Sequence, residues 1–229
     1  MPTLNVSEDG YIGVTGQTSW DNARDATTGT VVSNSGTSDF ANAYHTSGRG
    51  SNDFRVTRTF MYFDTSGVTD TLADATLKLY GFTQQNSADI IVVKSTAFGG
   101  DGGTALAAGD MDSFATGAGN DYSSEFTTMT SGQFNNIPLN ATALADIKNN
   151  DAFIICIMEY DHDHQDSAPS NASFYSSWRN GGYGVTSLRP DLEYNIQLGY
   201  SHDIMGVAAG SITKVNTVAA ANVGKVSGT

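Results

Sequence analysis

Short runs of residues whose polarity alternates, or that are wholly apolar, are separated along most of the chain by glycine- and asparagine-rich turns. Residues 191–198 are the clearest example, because every even position is apolar or aromatic and every odd position is polar. Such alternation places one face of a β-strand in a core and the other in water. Residues 75–80 alternate in the same way and direct Leu77 and Leu79 inward. Both segments are therefore predicted to be half-buried strands.

Two further runs predict central strands that are covered on both faces. Residues 90–93 and 153–158 are continuous apolar runs, which are typical of such strands. Cys156, the one cysteine of the chain, lies in the second run, so we expect a buried thiol and no intrachain disulfide. The remaining strand predictions are residues 10–14, 54–63 and 133–139.

Few segments favour a helix. Only 4 of the 24 acidic residues are glutamate, whereas 25 residues of the chain are glycine, so turns and strands are favoured over helices. Residues 140–148 are the exception, because Asn140 can cap a helix whose apolar residues recur three and four positions apart. Residues 20–26 favour a single turn. Many short strands with turns between them predict an all-β fold, a jelly-roll-like antiparallel β-sandwich with one short helix.

A change of composition near residue 203 predicts a sandwich domain at residues 1–202 and a non-globular C-terminal tail at residues 203–229. The tail has no aromatic residue and only one acidic residue. Its small apolar and β-branched residues cannot bury themselves within one monomer, so we expect it to pair with another copy or another protein. A disordered terminus is the alternative. The predicted assembly positions are Ile212, Val215, Val218, Val223 and Val226.

Charge and hydropathy exclude several kinds of partner. The net charge of −13 makes a nucleic-acid partner improbable, because no basic surface could neutralise a run of phosphates. No stretch approaches the ~20 apolar residues of a membrane span, so no membrane partner is expected. Residues 1–5 have neither the basic region nor the apolar stretch of a secretory signal. We therefore expect a protein that is made in a cytoplasm and leaves by another route.

One segment rich in aspartate and histidine is a candidate metal site. Asp161, His162, Asp163 and His164 offer carboxylate and imidazole ligands of the kind that bind zinc or calcium. In an extended strand the two histidines would point to one side and the two aspartates to the other, so an ion would need another ligand. The alternative is a solvated acidic loop. We expect no cofactor, with a structural Ca²⁺ at this segment as the one exception.

Aromatic residues in polar, glycine-rich stretches are candidates for ligand binding. Trp178, Tyr183 and Trp20 could stack on sugar rings or anchor a protein interface, or they could fold back and cap the sandwich. The chain has no Gly-x-Ser-x-Gly motif and no phosphate-binding loop. Carboxylates are plentiful, but none lies in a predicted apolar pocket that would identify a catalytic acid. We therefore expect no catalytic residues and no enzyme.

Residues 58–66 (Arg-Thr-Phe-Met-Tyr-Phe-Asp-Thr-Ser) are followed by Ala-Asp-Ala-Thr-Leu-Lys-Leu-Tyr at residues 73–80. Phe-Tyr-Ser-Ser at residues 174–177 is likewise followed by Arg-Pro-Asp-Leu-Glu-Tyr at residues 189–194. Together these segments resemble the DNRLRE-type β-sandwich family, relatives of carbohydrate-binding jelly rolls. The resemblance extends over residues 8–198 and implies the same sandwich, without catalytic residues that can be carried over.

Residues 9–13 and 25–29 resemble variants found in phage virion-associated proteins, and the related segments 212–216 and 223–227 resemble tails of phage structural proteins. This resemblance implies a non-enzymatic virion structural protein: a capsid decoration, a head fibre or a tail fibre component. Its expected partners are further copies of itself, as a trimer, and other virion proteins. The alternative hypothesis is a carbohydrate-binding module that recognises surface polysaccharide. A polysaccharide-degrading enzyme is the third hypothesis, for which we expect no turnover.

Overall fold

The computed structural model describes residues 1–48, 51–86, 88–127 and 129–197, together with two short strands in the tail. These residues form mostly antiparallel β-sheet, which confirms the predicted all-β, sandwich-like fold. The strands are β1 Thr3–Asn5, β2 Glu8–Gln17, β3 Val31–Ser33, β4 Ser38–Gly48, β5 Ser51–Asp64, β6 Leu72–Gln85, β7 Ile90–Ser95, β8 Phe114–Ala115, β9 Phe134–Pro138, β10 Ala152–Glu159, β11 Ser173–Arg179, β12 Asp191–Ile196, β13 Lys214–Val215 and β14 Val218–Ala219. The α-helices are α1 Trp20–Arg24 and α2 Ala141–Asn149.

Hydrogen bonds join most of the strands in the order β1-β12-β6-β11-β4-β5-β10-β7-β8. β2 pairs with β3 and β5, and β9 pairs with β6. The long strand β6 belongs to two parts of the sheet, since residues 72–78 pair with β12 and residues 81–85 pair with β11. Gly81 lies between these parts, where a Cβ atom would come within 2.1 Å of the Thr130 carbonyl oxygen. Only glycine fits this close approach of two backbones.

Strands β10 and β7 are covered on both faces, as their continuous apolar sequences predicted. Successive side chains of a strand point to opposite faces, so alternate residues of β10 enter different cores. The first core contains Phe153, Ile155 and Ile157, and the second contains Ile154, Cys156 and Met158. The thiol of Cys156 is buried in the second core, which confirms the expected free and buried cysteine.

The half-buried strands and the helix follow their local sequence patterns in most respects. Leu77 and Leu79 are buried, and Asn140 caps α2 by accepting hydrogen bonds from two main-chain N–H groups. In β12, however, Leu192 is buried whereas Ile196 is 38% exposed. The far end of β12 pairs only with β6, because β1 covers no more than its first three residues.

β4 and β11 were not among the predicted strands. β4 is rich in alanine, serine and other small or polar residues of modest β-propensity, whereas β11 combines three serines with Phe174, Tyr175 and Trp178. β4 pairs with β11 along residues 38–44 and with β5 along residues 42–48, and β11 lies between β4 and β6. Pairing within the sheet therefore decides their conformation.

In the tail, β13 pairs with β14 in an antiparallel arrangement that places Val215 opposite Val218. The other predicted assembly positions, Ile212, Val223 and Val226, lie outside the described residues. The assembly role of residues 203–229 and the boundary at residue 202 stay predictions. Within the described ranges, no helix has the length and apolar composition needed to cross a membrane.

Candidate functional site

Four neighbouring strands present a face that combines aromatic and polar side chains. Across β2, β5, β4 and β11, the pairs Gly13–Thr57, Thr57–Asn42 and Asn42–Tyr175 lie directly opposite one another. Directly opposed residues of an antiparallel sheet share a face, and so do residues two positions apart on one strand. We define this aromatic face by the residues that share it: Tyr11, Gly13, Phe40, Asn42, Tyr44, Arg55, Thr57 and Tyr175.

Three rings of the aromatic face touch one another in a row. The Phe40 ring centre lies 4.5 Å from that of Tyr11 and 5.1 Å from that of Tyr175, with interplanar angles of 48° and 42°. All three side chains are half-buried. Tilted ring pairs at such distances attract each other beyond the effect of their buried area. The row is therefore held in place by its own contacts while part of each ring faces solvent.

A depression of about 190 Å³ opens in the aromatic face beside these rings. Gly13 leaves room in it, because a Cβ atom there would lie only 3.1 Å from Thr57 Oγ1. Val31, which is 41% exposed, contributes an apolar wall. Asn42 and Arg55 contribute polar groups. The depression thus brings apolar surface and hydrogen-bonding groups together.

The polar groups of the aromatic face are fixed by neighbours. Asn42 Nδ2 donates hydrogen bonds to Ser173 Oγ at 3.1 Å and to the Phe174 carbonyl oxygen at 3.0 Å. The Arg55 guanidinium lies 4.9 Å from the centre of the Tyr44 ring. The opposite charge of Asp53 balances Arg55, whose Nε donates to Asp53 Oδ2 at 2.9 Å. This hydrogen bond lowers the pKa of Asp53.

The structure corrects the prediction that the two tryptophans bind a ligand. Trp178 is 0% exposed in the first core, and Trp20 is 5% exposed in the second, where it packs against Phe54. Neither indole ring can therefore stack on a sugar. The sequences around both residues are polar and glycine-rich, so they suggested exposed rings. The apolar contacts that bury the rings come from residues distant in the sequence. The third predicted residue, Tyr183, is half-buried, with its ring centre 4.3 Å from the Arg179 guanidinium.

The predicted metal segment forms a π-helical turn, Tyr160–His164, instead of an extended strand. Asp163 points into the interior and is 1% exposed. Arg58, also 1% exposed, donates to it from Nε at 2.8 Å and from Nη2 at 2.6 Å. Asp163 is therefore the counterion of a buried arginine, and its carboxylate is engaged by that guanidinium.

The two histidines of this turn have separate carboxylate partners. His162 Nδ1 lies 3.1 Å from Glu159 Oε1, and His164 Nε2 lies 3.1 Å from Asp121 Oδ1. The Glu159 carboxylate also accepts the main-chain N–H of His162 at 2.7 Å. Because these contacts lead in different directions, the four residues 161–164 do not converge on one ion. The prediction of a single metal site at this segment is corrected accordingly.

Asp161 belongs instead to a surface group of carboxylates. One oxygen of Asp161, one of Asp89 and one of Glu125 all lie within 4.8 Å of one another. Partial burial and a hydrogen bond with Glu125 raise the pKa of Asp89 to about 6. Asp161 and Glu125 are exposed, so water can hydrate these carboxylates without an ion.

A larger depression, of about 470 Å³, lies between β7, β10 and α2. At its edge Lys94 Nζ donates to Asp146 Oδ2 at 2.8 Å, and the Tyr122 hydroxyl donates to the same oxygen. Although burial opposes it, the hydrogen bond from Lys94 lowers the pKa of Asp146. Burial and Asp146 raise the pKa of Tyr122 well above its usual range. This ionised acid and protonated phenol are poorly matched for exchanging a proton near neutral pH.

Comparison with protein-family models and with curated proteins finds no match for this chain. The resemblance to the DNRLRE-type family therefore stays a prediction.

The β4 residues of the aromatic face, which were not among the predicted site residues, follow a recognisable sequence pattern. Phe40, Asn42 and Tyr44 alternate with Asp39, Ala41 and Ala43. This period of two, with small residues on one side, is typical of a strand that presents aromatic and polar groups to solvent. The alignment of β4 with Tyr11 and Tyr175, by contrast, depends on long-range pairing.

Proposed function

We propose that this chain is a non-catalytic polysaccharide-binding protein and that its aromatic face binds the sugar chain. The observation that carries the proposal is the row of touching rings, Tyr11, Phe40 and Tyr175, beside the fixed side chains of Asn42 and Arg55. The C–H bonds of a sugar ring pack against aromatic faces, and its hydroxyl groups exchange hydrogen bonds with amide and guanidinium groups.

The charge of the chain favours a neutral polysaccharide over an acidic one. The net charge is −13, and the positive charge of Arg55 on the aromatic face is balanced by Asp53. An acidic polysaccharide would approach against this negative field, whereas a neutral one would not.

Affinity electrophoresis in gels that contain neutral polysaccharides tests the proposal. The native chain is expected to be retarded by at least one of them. Removing either outer ring, by Tyr175→Ala or Tyr11→Ala, should weaken binding about tenfold, because an aromatic anchor is worth about 1–2 kcal/mol. A rate of release of reducing ends no higher than that of a protein-free control is the expected result for a non-enzyme.

Tyr80→Ala provides the matched control. Tyr80 is also half-buried and also pairs with an aromatic ring, that of Phe134 at 5.4 Å, but it lies outside the aromatic face. This variant should bind like the native chain. The proposal fails if no neutral polysaccharide retards the native chain, or if Tyr80→Ala weakens binding as much as Tyr175→Ala.

We further propose, from the sequence resemblance, that this binding body is displayed on a virion and assembles as a trimer through residues 203–229. The pairing of β13 with β14 gives this tail one element of regular backbone. Deleting residues 203–229 should yield a monomer by light scattering that still binds polysaccharide. A truncated chain that keeps the native oligomeric state would contradict the assembly role and leave the glycan proposal intact.

A further inference from the structure

Two carboxyl groups and a carboxamide meet in the interior where β2, β4 and the end of β11 come together. Asp39 is 1% exposed, Asn180 is 2% exposed and Asp9 is 9% exposed. Asn180 Nδ2 donates to Asp39 Oδ1 at 3.1 Å, and the Gly181 main-chain N–H donates to Asp9 Oδ2 at 2.6 Å. The carboxyl groups of Asp9 and Asp39 are close enough for their charges to act on each other.

Two oxygen atoms of this cluster are buried without a hydrogen-bond partner: Asp39 Oδ2 and Asn180 Oδ1. In the described part of the chain, no lysine or arginine forms an ion pair with Asp9 or Asp39. Arg189 acts on Asp9 through its charge, but its Nε donates to the Tyr183 carbonyl oxygen. Buried oxygens are unfavourable unless they accept a hydrogen bond or bind an ion, and two adjoining carboxylates are unfavourable unless a proton or a cation offsets their charge.

A main-chain oxygen borders the same space. A Cβ atom on Gly182 would lie 2.5 Å from the Gly36 carbonyl oxygen and 3.4 Å from Asn180 Oδ1. A side chain at position 182 would therefore displace the Gly36 carbonyl oxygen. The absence of a side chain on Gly182 leaves this main-chain oxygen and Asn180 Oδ1 on either side of one small space.

We propose that Asp9, Asp39 and Asn180 bind a calcium ion, with the Gly36 carbonyl oxygen as a further ligand. Calcium takes carboxylate, amide and main-chain oxygens as ligands and accepts irregular geometry. The two carboxylates balance its charge, and Asp39 Oδ2 and Asn180 Oδ1 gain the partner that they lack within the chain. The site has no sulfur or imidazole ligand, which zinc prefers.

The ion would also hold together the strands of the aromatic face. Asp9 and Asp39 precede Tyr11 and Phe40 on β2 and β4, and Asn180 directly follows β11. Calcium binding would therefore fix the ends of three strands whose rings form the row.

Calcium titration of the full-length chain after treatment with EDTA tests the inference. At about a hundredfold excess over the dissociation constant, Ca²⁺ should raise the midpoint of thermal unfolding by roughly 5–10 °C. Mg²⁺ should have a much smaller effect, because it demands near-octahedral geometry. Asp39→Asn and Asp9→Asn should each remove most of the shift produced by Ca²⁺. Asp161→Asn, in the surface carboxylate group, is the control and should retain the full shift.

A second measurement needs no variant. Asp39 lies directly opposite Trp178 across β4 and β11, so an ion bound to Asp39 lies near this indole. Tb³⁺ at the site should emit when tryptophan is excited, and Ca²⁺ should abolish that emission by competition. The inference is overturned if the native chain shows neither the thermal shift nor this emission. It is equally overturned if the shift survives Asp39→Asn and is lost in Asp161→Asn.

Discussion

The buried carboxyl groups of Asp163 and Asp39 are equally shielded from water but have opposite surroundings. Each residue is 1% exposed. Asp163 accepts two hydrogen bonds from Arg58, and although burial opposes the charge of that guanidinium, Asp163 raises the pKa of Arg58. Burial, and then the charge of Asp9, instead raise the pKa of Asp39 to about 8. The chain thus supplies a counterion for the Asp163 carboxylate, whereas the Asp39 carboxyl group is balanced by a proton or an ion from solution.

The two buried carboxyl groups also differ in which segments of the fold they hold together. Arg58 also donates to the carbonyl oxygens of Met111 at 3.1 Å and of Arg24 at 2.8 Å, so it ties the end of α1 and two separate turns to β5. The Asp39 site joins the ends of β2, β4 and β11 through hydrogen bonds from Asn180 and from the Gly181 main chain, with no positively charged side chain paired to it among the described residues. A permanent ion pair suits the first role, whereas calcium binding at the second, as proposed above, would let it respond to the ion and to pH.

The largest expected loss of stability follows from removing one partner of the buried ion pair between Arg58 and Asp163. Arg58→Met should lower the free energy of unfolding by about 3–5 kcal/mol, because it leaves the Asp163 carboxylate buried without its counterion. Urea unfolding measures the change. The double variant Arg58→Met/Asp163→Leu should recover part of the loss, since it removes both charges together. A loss below about 1 kcal/mol in the single variant would show that the pair is not what stabilises this region.

The buried carboxyl group of Asp39 should make the stability of the fold depend on pH when calcium is absent. The pKa of Asp39 is about 8 in the folded chain and 3.8 for an ordinary aspartate, so the folded state holds its proton more tightly. Stability from this group is therefore fully present below about pH 4 and is lost as the pH rises through about 8. The loss should be on the order of 2–3 kcal/mol, because one pKa unit corresponds to about 1.4 kcal/mol and Asp9 shares the proton.

Urea unfolding in EDTA at several pH values measures this dependence. Asp39→Asn should flatten the profile between about pH 4 and pH 8. Glu8 and Arg189 also act on Asp9, and both are unchanged in this variant. An equally steep profile in Asp39→Asn would assign the titration to another group.

The smallest effect is expected for an ion pair near the surface. Lys78 Nζ lies 2.6 Å from Glu193 Oε1, with the two side chains 20% and 26% exposed. Lys78→Met should lower the free energy of unfolding by no more than about 1 kcal/mol, because water screens the pair and already solvates both charges. Urea unfolding provides the comparison with Arg58→Met. Equal losses in the two variants would mean that burial does not set the value of an ion pair here.

Local sequence patterns predicted those parts of the fold that their own residues determine. The apolar runs of β7 and β10 identified these strands correctly, as did the alternation of Leu77 and Leu79 with polar residues in β6. Asn140 identified the start of α2. In each case the deciding interactions lie within a few residues of one another. β4 was not predicted because its small and polar residues become a strand through pairing with distant partners. β11 was also not predicted, although its aromatic residues Phe174, Tyr175 and Trp178 favour a strand.

The candidate site was predictable only in kind. Aromatic residues outside the core were expected, but Trp178 and Trp20 are buried and Tyr11, Phe40 and Tyr175 form the face. The residues of the Asp39 site are equally scattered along the chain, so no short motif marks them.

The sequence by itself determined the all-β class, the turns, the capped helix and the free cysteine, because these depend on local spacing and composition. Tertiary structure decided which face of each strand is covered, which rings touch, and that Arg58 meets Asp163 while Asp39 meets Asp9. Alternation defines the two faces of a strand, but only pairing between distant segments chooses the neighbours that bury one of them.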